Sequence, residues 1–119
     1  TKYRNNLVVL VSEKTRKGVG NQVYLGWPMA EFNHSNNLFF NLDSPIIVFS
    51  DNPAENKENA EGAIIANPLL VNLFKGDYRL TAKSPAIDNG YDDGHYSFDL
   101  DGNPIISTRD IGAYEFQAK

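Results

Sequence analysis

Apolar residues occur along the chain in short runs that are rich in β-branched and aromatic side chains. Asn, Gly, Pro, Asp or Ser bounds each run, which is typical of strands that alternate with tight turns. The runs span residues 7–11, 23–25, 38–40, 46–49, 63–65, 68–71, 78–80 and 111–116. Only 54–60, which follows Pro53, has the composition of a helical turn. The pattern therefore predicts an all-β fold.

One internal repeat supports a stacked arrangement of these strands. Arg4-Asn5-Asn6-Leu7-Val8-Val9 aligns with Ser35-Asn36-Asn37-Leu38-Phe39-Phe40, 31 residues later. A period of 20–50 residues is typical of coils that bury a face against the next coil. Stacked coils would superimpose the Asn pairs, so that one Asn bonds the next. The alternative is two unrelated antiparallel strands that each follow an Asn turn.

Composition narrows the classes of partner. The net charge of −4 argues against a surface that binds the phosphates of nucleic acid. The absence of cysteine excludes disulfides and thiolate metal sites. No run of about 18 apolar residues is present, so we expect no membrane span. The fourteen asparagines indicate many tight corners, because Asn tolerates left-handed backbone.

The second half of the chain carries a series of short motifs. They are Asn67-Pro68-Leu69-Leu70-Val71, Gly76-Asp77-Tyr78-Arg79-Leu80, Ser84-Pro85-Ala86-Ile87-Asp88-Asn89-Gly90, Asp99-Leu100-Asp101-Gly102-Asn103-Pro104 and Arg109-Asp110-Ile111-Gly112-Ala113-Tyr114-Glu115-Phe116. Turn residues alternate with small apolar groups, which suits a cap over the apolar end of a stack of coils.

In this order, the motifs resemble the C-terminal region of bacterial right-handed parallel β-helix proteins of the choice-of-anchor Q type, which are related to β-helical polysaccharide lyases and glycoside hydrolases. The resemblance implies terminal β-helix coils over residues 1–66 and a C-terminal capping region of the same domain over 67–119. It also implies that coils of the same protein lie upstream and that the protein is secreted or exposed on the cell surface.

The function implied by the resemblance is binding of, or action on, polysaccharide. We expect this segment to be mainly structural, with the catalytic residues of any lyase or hydrolase mostly outside it. Two alternatives stay open: a non-catalytic surface protein or adhesin, and a small antiparallel carbohydrate-binding β-sandwich.

Two sets of residues are candidates for a site. Asp99, Asp101 and Asn103 place oxygen ligands at alternate positions around Gly102, in the manner of a calcium loop, although position twelve is Asp110 where such loops have Glu. A plain turn is the alternative reading. Tyr24, Trp27 and His34 are the candidate glycan contacts: Tyr24 and Trp27 because aromatic faces stack on sugar rings, and His34 because its place just ahead of the Ser35-Asn36-Asn37 corner would let it face a groove. The alternatives are core aromatics and a hydrogen-bonded turn histidine.

Overall fold

The computed structural model describes residues 3–10, 34–42, 47, 49, 58, 60–91, 97–105 and 108–117. Nearly all of its regular structure is strand, which confirms the all-β prediction at that level. The elements are β1 (Tyr3–Arg4), β2 (Leu7–Leu10), β3 (His34–Ser35), β4 (Leu38–Asn41), β5 (Ile64–Ile65), β6 (Leu70–Asn72), a 3₁₀ turn (Leu73–Lys75) and β7 (Asp77–Leu80). The predicted strand at 23–25, and residues 46 and 48 of the one at 46–49, lie outside the described residues.

The strands of the repeat pair in parallel. β2, β4 and β5 form a three-stranded sheet in that order, with Leu7 opposite Leu38 and Leu38 opposite Ile64. β1 pairs with β3 in the same sense. The predicted spacing of 31 residues is therefore confirmed as a structural register, and the antiparallel alternative is wrong for these strands.

A left-handed residue forms the corner before each strand of this sheet. Asn5 has φ 58°, Asn36 has φ 55° and Gly62 has φ 71°. Asn and Gly adopt this conformation at the least steric cost. Backbone hydrogen bonds join one corner to the next, since Asn5 N–H donates to Asn36 C=O at 3.1 Å and Asn36 N–H to Glu61 C=O at 2.9 Å.

The side chain of Asn37 ties the first two corners together. Only 1% of Asn37 is exposed. Its Oδ1 accepts hydrogen bonds from Asn6 N–H (2.9 Å) and Asn6 Nδ2 (3.1 Å), and its Nδ2 donates to Tyr3 C=O (3.0 Å). The predicted bonding of one Asn to the next is thus confirmed. Ala63 holds the equivalent position before β5, as the register shows.

The two faces of the parallel sheet are covered by different parts of the chain. Phe39 and Phe49 pack edge to face with ring centroids 5.3 Å apart, next to Val8 and Ile47. Phe39 is fully buried. Because adjacent residues of a strand point to opposite faces, this cluster occupies one side of the sheet.

The other face of the sheet packs against the C-terminal half of the chain. Leu38 forms a buried cluster with Leu80, Ala86 and Ile111, and Leu7 and Ile64 pack against this cluster. The region predicted as a cap therefore lies along the face of the sheet. It also reaches the first corner, where Gly112 N–H donates to Asn5 C=O at 3.0 Å.

The strand predicted at 111–116 is wrong. These residues have no regular secondary structure, because their N–H groups donate to scattered partners instead of to one strand: Ile111 and Gly112 to backbone carbonyls, and Glu115 and Phe116 to side-chain carboxylates. Phe116 N–H donates to Asp110 Oδ2 at 2.6 Å, and Glu115 N–H donates to Asp99 Oδ2 at 2.8 Å.

We expect Gly62→Ala to destabilise the fold more than Gly76→Ala. Both glycines have left-handed φ angles, 71° and 77°, so alanine costs about 1–2 kcal/mol at either position. A Cβ at Gly62 would also lie 2.9 Å from Asn36 Cγ, whereas a Cβ at Gly76 meets nothing within 4 Å. Gly62→Ala would thus displace Asn36 from its bond to Asn89 C=O. The free energies of unfolding are measured by urea titration. Equal losses for Gly62→Ala and Gly76→Ala would contradict the close approach of Gly62 to Asn36.

Candidate functional site

Asp99, Asp101 and Asn103 lie on one turn, as the sequence predicts for either reading of this motif. Asp99 C=O accepts a hydrogen bond from Gly102 N–H at 3.1 Å, and Asp99 Oδ1 accepts one from Asn103 N–H at 2.8 Å. Asn103 Nδ2 is 3.2 Å from Asp99 Oδ2. The Asp99 carboxylate therefore closes its own turn.

Asp101 is engaged by Arg79 of β7. Arg79 Nε lies 2.7 Å from Asp101 Oδ2 and Arg79 Nη2 lies 3.0 Å from Asp101 Oδ1, a bidentate pair. The same guanidinium contacts Asp77 Oδ1 at 3.1 Å and lies 5.1 Å from the centre of the Tyr114 ring. The pair thus joins β7 to the 99–103 turn and to Tyr114.

The described residues contain no group of three His, Asp or Glu side chains placed to hold a metal ion. The oxygens of Asp99 and Asp101 are directed to protein donors, so the turn reading accounts for the motif.

A second set of carboxylates, Asp99, Asp110 and Glu115, anchors the end of the chain; we call these three the tail carboxylates. Asp110 is 3% exposed, and its Oδ1 accepts a hydrogen bond from Asp88 N–H at 2.7 Å. Glu115 Oε1 accepts one from Asp110 N–H at 2.9 Å. Each carboxylate accepts a hydrogen bond from a backbone N–H that has no carbonyl partner on a neighbouring strand.

The environments of two tail carboxylates shift their pKa values in opposite directions. Partial burial opposes ionisation of Asp99, but hydrogen bonds from Glu115 N–H and from Asn103 hold its pKa below the ordinary value. For Glu115, burial raises the pKa, and the hydrogen bond from Asp110 N–H offsets this only in part.

His34 is enclosed next to Glu58. His34 Nε2 lies 2.8 Å from Glu58 Oε1, and the two side chains are 4% and 0% exposed. Glu58 Oε1 also accepts a hydrogen bond from Ala60 N–H at 2.8 Å. The imidazole therefore presents little surface to a ligand in this structure. Tyr24 and Trp27, the other candidate glycan contacts, lie outside the described residues.

A cleft of about 860 Å³ lies beside β2, and sequence reasoning did not find it. Its walls come from β2, from the β6–β7 hairpin with its 3₁₀ turn, and from the end of the chain. The lining residues are Asn5, Asn6, Leu7, Val9, Leu70, Leu73, Phe74, Tyr78, Leu80, Leu100, Ile111, Gly112, Ala113 and Tyr114. No local motif marks the cleft, because long-range packing brings these segments together.

The cleft suits an apolar occupant better than a polar one. Phe74 is 79% exposed and Leu100 is 72% exposed, although both are large apolar side chains. The two asparagines in the wall use their amides internally, since Asn5 bonds the backbone of Tyr91 and Asn6 bonds Arg4 C=O and Asn37. Sugar hydroxyls would find few free polar partners here.

No family model and no curated protein matches this chain.

No helix in the described part of the chain is long and apolar enough to cross a membrane.

We expect added calcium to leave the unfolding temperature unchanged. The reason is that Arg79 occupies Asp101 and backbone donors occupy Asp99. Differential scanning fluorimetry with calcium and with chelator tests this expectation. A calcium-dependent rise that Asp101→Asn abolishes would restore the calcium-loop reading.

We expect Asp99→Asn and Glu115→Gln to change the pH dependence of stability in opposite ways. Asp99 has a lowered pKa, so its contribution is present above the unfolded pKa of about 3.9 and is lost as pH falls through the folded value. Glu115 has a raised pKa, so its contribution is full below about 4.3 and is lost as pH rises through the folded value.

The free energy of unfolding of Asp99→Asn should therefore fall further below that of wild type as pH rises from 3 to 7. Over the same range, the free energy of unfolding of Glu115→Gln should rise relative to that of wild type. Urea unfolding at a series of pH values measures both. Parallel pH profiles for the two variants would contradict the assigned contacts.

Proposed function

We propose that this chain is the C-terminal part of a secreted or surface right-handed parallel β-helix protein that binds or acts on polysaccharide, and that the part described here is mainly structural. The observation that carries the proposal is the parallel register of β2, β4 and β5 with left-handed corners in line. Stacked parallel strands with superimposed corners are the geometry that a β-solenoid requires.

The hydrogen bonding of the buried carboxylates supports a structural role for this segment. Asp99 and Asp110 each accept backbone hydrogen bonds through both oxygens. A carboxylate held in this way stabilises the chain and has little capacity left for acid–base work on a substrate. The catalytic groups of any lyase or hydrolase would therefore come from other coils.

The same observation favours the second candidate, a non-catalytic surface or carbohydrate-binding protein. Two carboxylates about 5–10 Å apart would be needed for glycoside hydrolysis, and they would have to face the substrate. The tail carboxylates are directed to backbone donors instead. Binding without turnover is thus the simpler role for this segment.

The glycan-binding part of the proposal rests on the resemblance and on the aromatic residues Tyr24 and Trp27. Aromatic rings stack on the apolar faces of sugars, and their large area supplies much of the binding energy. The upstream coils implied by the resemblance would extend such a platform along the stack.

Trp27 makes this proposal testable because it is the only tryptophan in the chain. We expect its fluorescence to change on titration with a bound polysaccharide from a panel of acidic and neutral polymers. Trp27→Ala should abolish binding in affinity electrophoresis, whereas Phe98→Ala, which removes an aromatic side chain that is 62% exposed, should leave it intact. Failure of every polymer to bind, or retention of binding by Trp27→Ala, would contradict the proposed contact.

A further inference from the structure

Asn89 and Gly90 form the only Asn-Gly pair in the sequence. Such a pair can lose its side-chain amide without an enzyme, because the backbone nitrogen of the glycine can attack Cγ of the asparagine. Glycine leaves this approach open, since it has no side chain to hinder it. Asn89 is exposed and Gly90 is half-buried, so solvent reaches the pair. The pair therefore has the chemistry of a modification site.

The native contacts of the pair oppose this reaction. Gly90 N–H donates to Arg109 C=O at 2.7 Å, so the attacking nitrogen is engaged. Asn89 Nδ2 donates to Pro85 C=O at 2.7 Å and to Ile87 C=O at 3.1 Å, which directs the amide toward the preceding turn. Attack requires a deprotonated Gly90 nitrogen turned toward Asn89 Cγ, so these hydrogen bonds must break first.

The corner asparagines hold the same segment, residues 88–91, which we call the cap loop. Asn36 Nδ2 donates to Asn89 C=O at 3.1 Å. Asn5 bonds Tyr91 twice, since its Oδ1 accepts from Tyr91 N–H at 2.5 Å and its Nδ2 donates to Tyr91 C=O at 2.7 Å. Opening of the cap loop therefore requires its release from the corners before β2 and β4.

We propose that Asn89 is a site of spontaneous deamidation, that docking of the cap loop on the corner asparagines protects it, and that the reaction makes undocking irreversible. After solvent base removes the Gly90 N–H proton, the nitrogen bonds to Asn89 Cγ and the Cγ–Nδ2 bond breaks. The amide nitrogen leaves as ammonia, which carries a proton equivalent to the one that Gly90 lost. Water then opens the cyclic imide, at Cγ to give aspartate or at the main-chain carbonyl to give isoaspartate.

Aspartate at position 89 does not fit the native contacts. A carboxylate oxygen then takes the place of Nδ2 and faces the carbonyl oxygens of Pro85 and Ile87. All of these oxygens accept hydrogen bonds and none can donate. The two hydrogen bonds are therefore lost, and docking of the cap loop is weakened.

Isoaspartate at position 89 fits less well, because the main chain then passes through Cγ and becomes one carbon atom longer. The carbonyl that bonds Asn36 becomes a free carboxylate, and Gly90 is displaced. An added Cβ at Gly90 would lie 2.8 Å from Arg109 O and 2.9 Å from Asp110 O, so the surrounding backbone leaves no room for a shift in that direction.

Peptide mapping by mass spectrometry measures the reaction site by site. In urea at mildly alkaline pH, we expect Asn89 to deamidate before any other asparagine, because a residue with a side chain follows each of the others. In the native protein at the same pH, the rate at Asn89 should be at least about tenfold lower. Faster reaction at another asparagine in urea, or equal rates at Asn89 in the two conditions, would overturn the proposal.

A glycine substitution tests the protection by the corner. Asn36→Gly removes the bond to Asn89 C=O and keeps a residue that tolerates the left-handed corner. Loss of one hydrogen bond should make deamidation of the native protein about fivefold faster. Asn67→Gly is the matched control, because it removes an asparagine bond to Leu69 N–H outside the cap loop and should leave the rate at Asn89 unchanged. Equal rates in these two variants would contradict the role of Asn36.

A charge substitution tests the irreversible step without any change at the corners. Asn89→Asp reproduces one product, and we expect it to lower the urea midpoint of unfolding or to prevent folding. Asn67→Asp adds the same charge and keeps an acceptor for Leu69 N–H, so its midpoint should equal that of wild type. Equal midpoints for Asn89→Asp and Asn67→Asp would show that the deamidated cap loop docks again, and would overturn this part of the proposal.

Discussion

The left-handed corner before each strand is the constraint on which the rest of the described structure depends. At Asn5 and Asn36 the backbone turns so that N–H and C=O lie along the stacking direction, and one corner bonds the next. The buried side chain of Asn37 then joins the first two corners by three hydrogen bonds, to Asn6 and Tyr3. Loss of such a buried polar partner costs about 1–3 kcal/mol. With the corners in line, Leu7, Leu38 and Ile64 fall on one face, where the C-terminal half packs against them.

Buried backbone groups need hydrogen-bond partners. In the parallel sheet these partners are neighbouring strands, whereas at the end of the chain several of them are side-chain carboxylates. The N–H groups of Glu115, Phe116 and Asp110 bond to the carboxylates of Asp99, Asp110 and Glu115, respectively, instead of to a neighbouring strand. The irregular segment can therefore follow the face of the sheet and reach Asn5 through Gly112. The same contacts direct the oxygens of Asp99 and Asp110 to backbone N–H groups, so these carboxylates stabilise the fold and have little capacity left for acid–base chemistry.

The sequence predicted the structure best where the local conformational preference of a residue and its long-range strand pairing favour the same arrangement. The paired asparagines before Leu7 and Leu38 predicted the register, because the same residue types recur where one corner lies over the next. The third corner was missed, since Gly62-Ala63 replaces the Asn pair there and the interval from Leu38 to Ile64 is 26 residues rather than 31. The apolar pattern at 111–116 predicted a strand, but the adjacent carboxylates compete for the backbone. The cleft depends on contacts between distant segments and leaves no local signal.

An engineered disulfide tests the parallel pairing of β2 and β4 most directly, because the chain has no cysteine of its own. Leu10 and Asn41 are partners in the parallel register, and neighbouring strands lie about 4.8 Å apart, within the reach of a disulfide. The double substitution Leu10→Cys and Asn41→Cys should oxidise to an intramolecular disulfide, detected by mass spectrometry. Leu10→Cys with Leu38→Cys would be partners only if the strands were antiparallel, and this pair should stay reduced. Closure of the second pair in preference to the first would contradict the parallel stack.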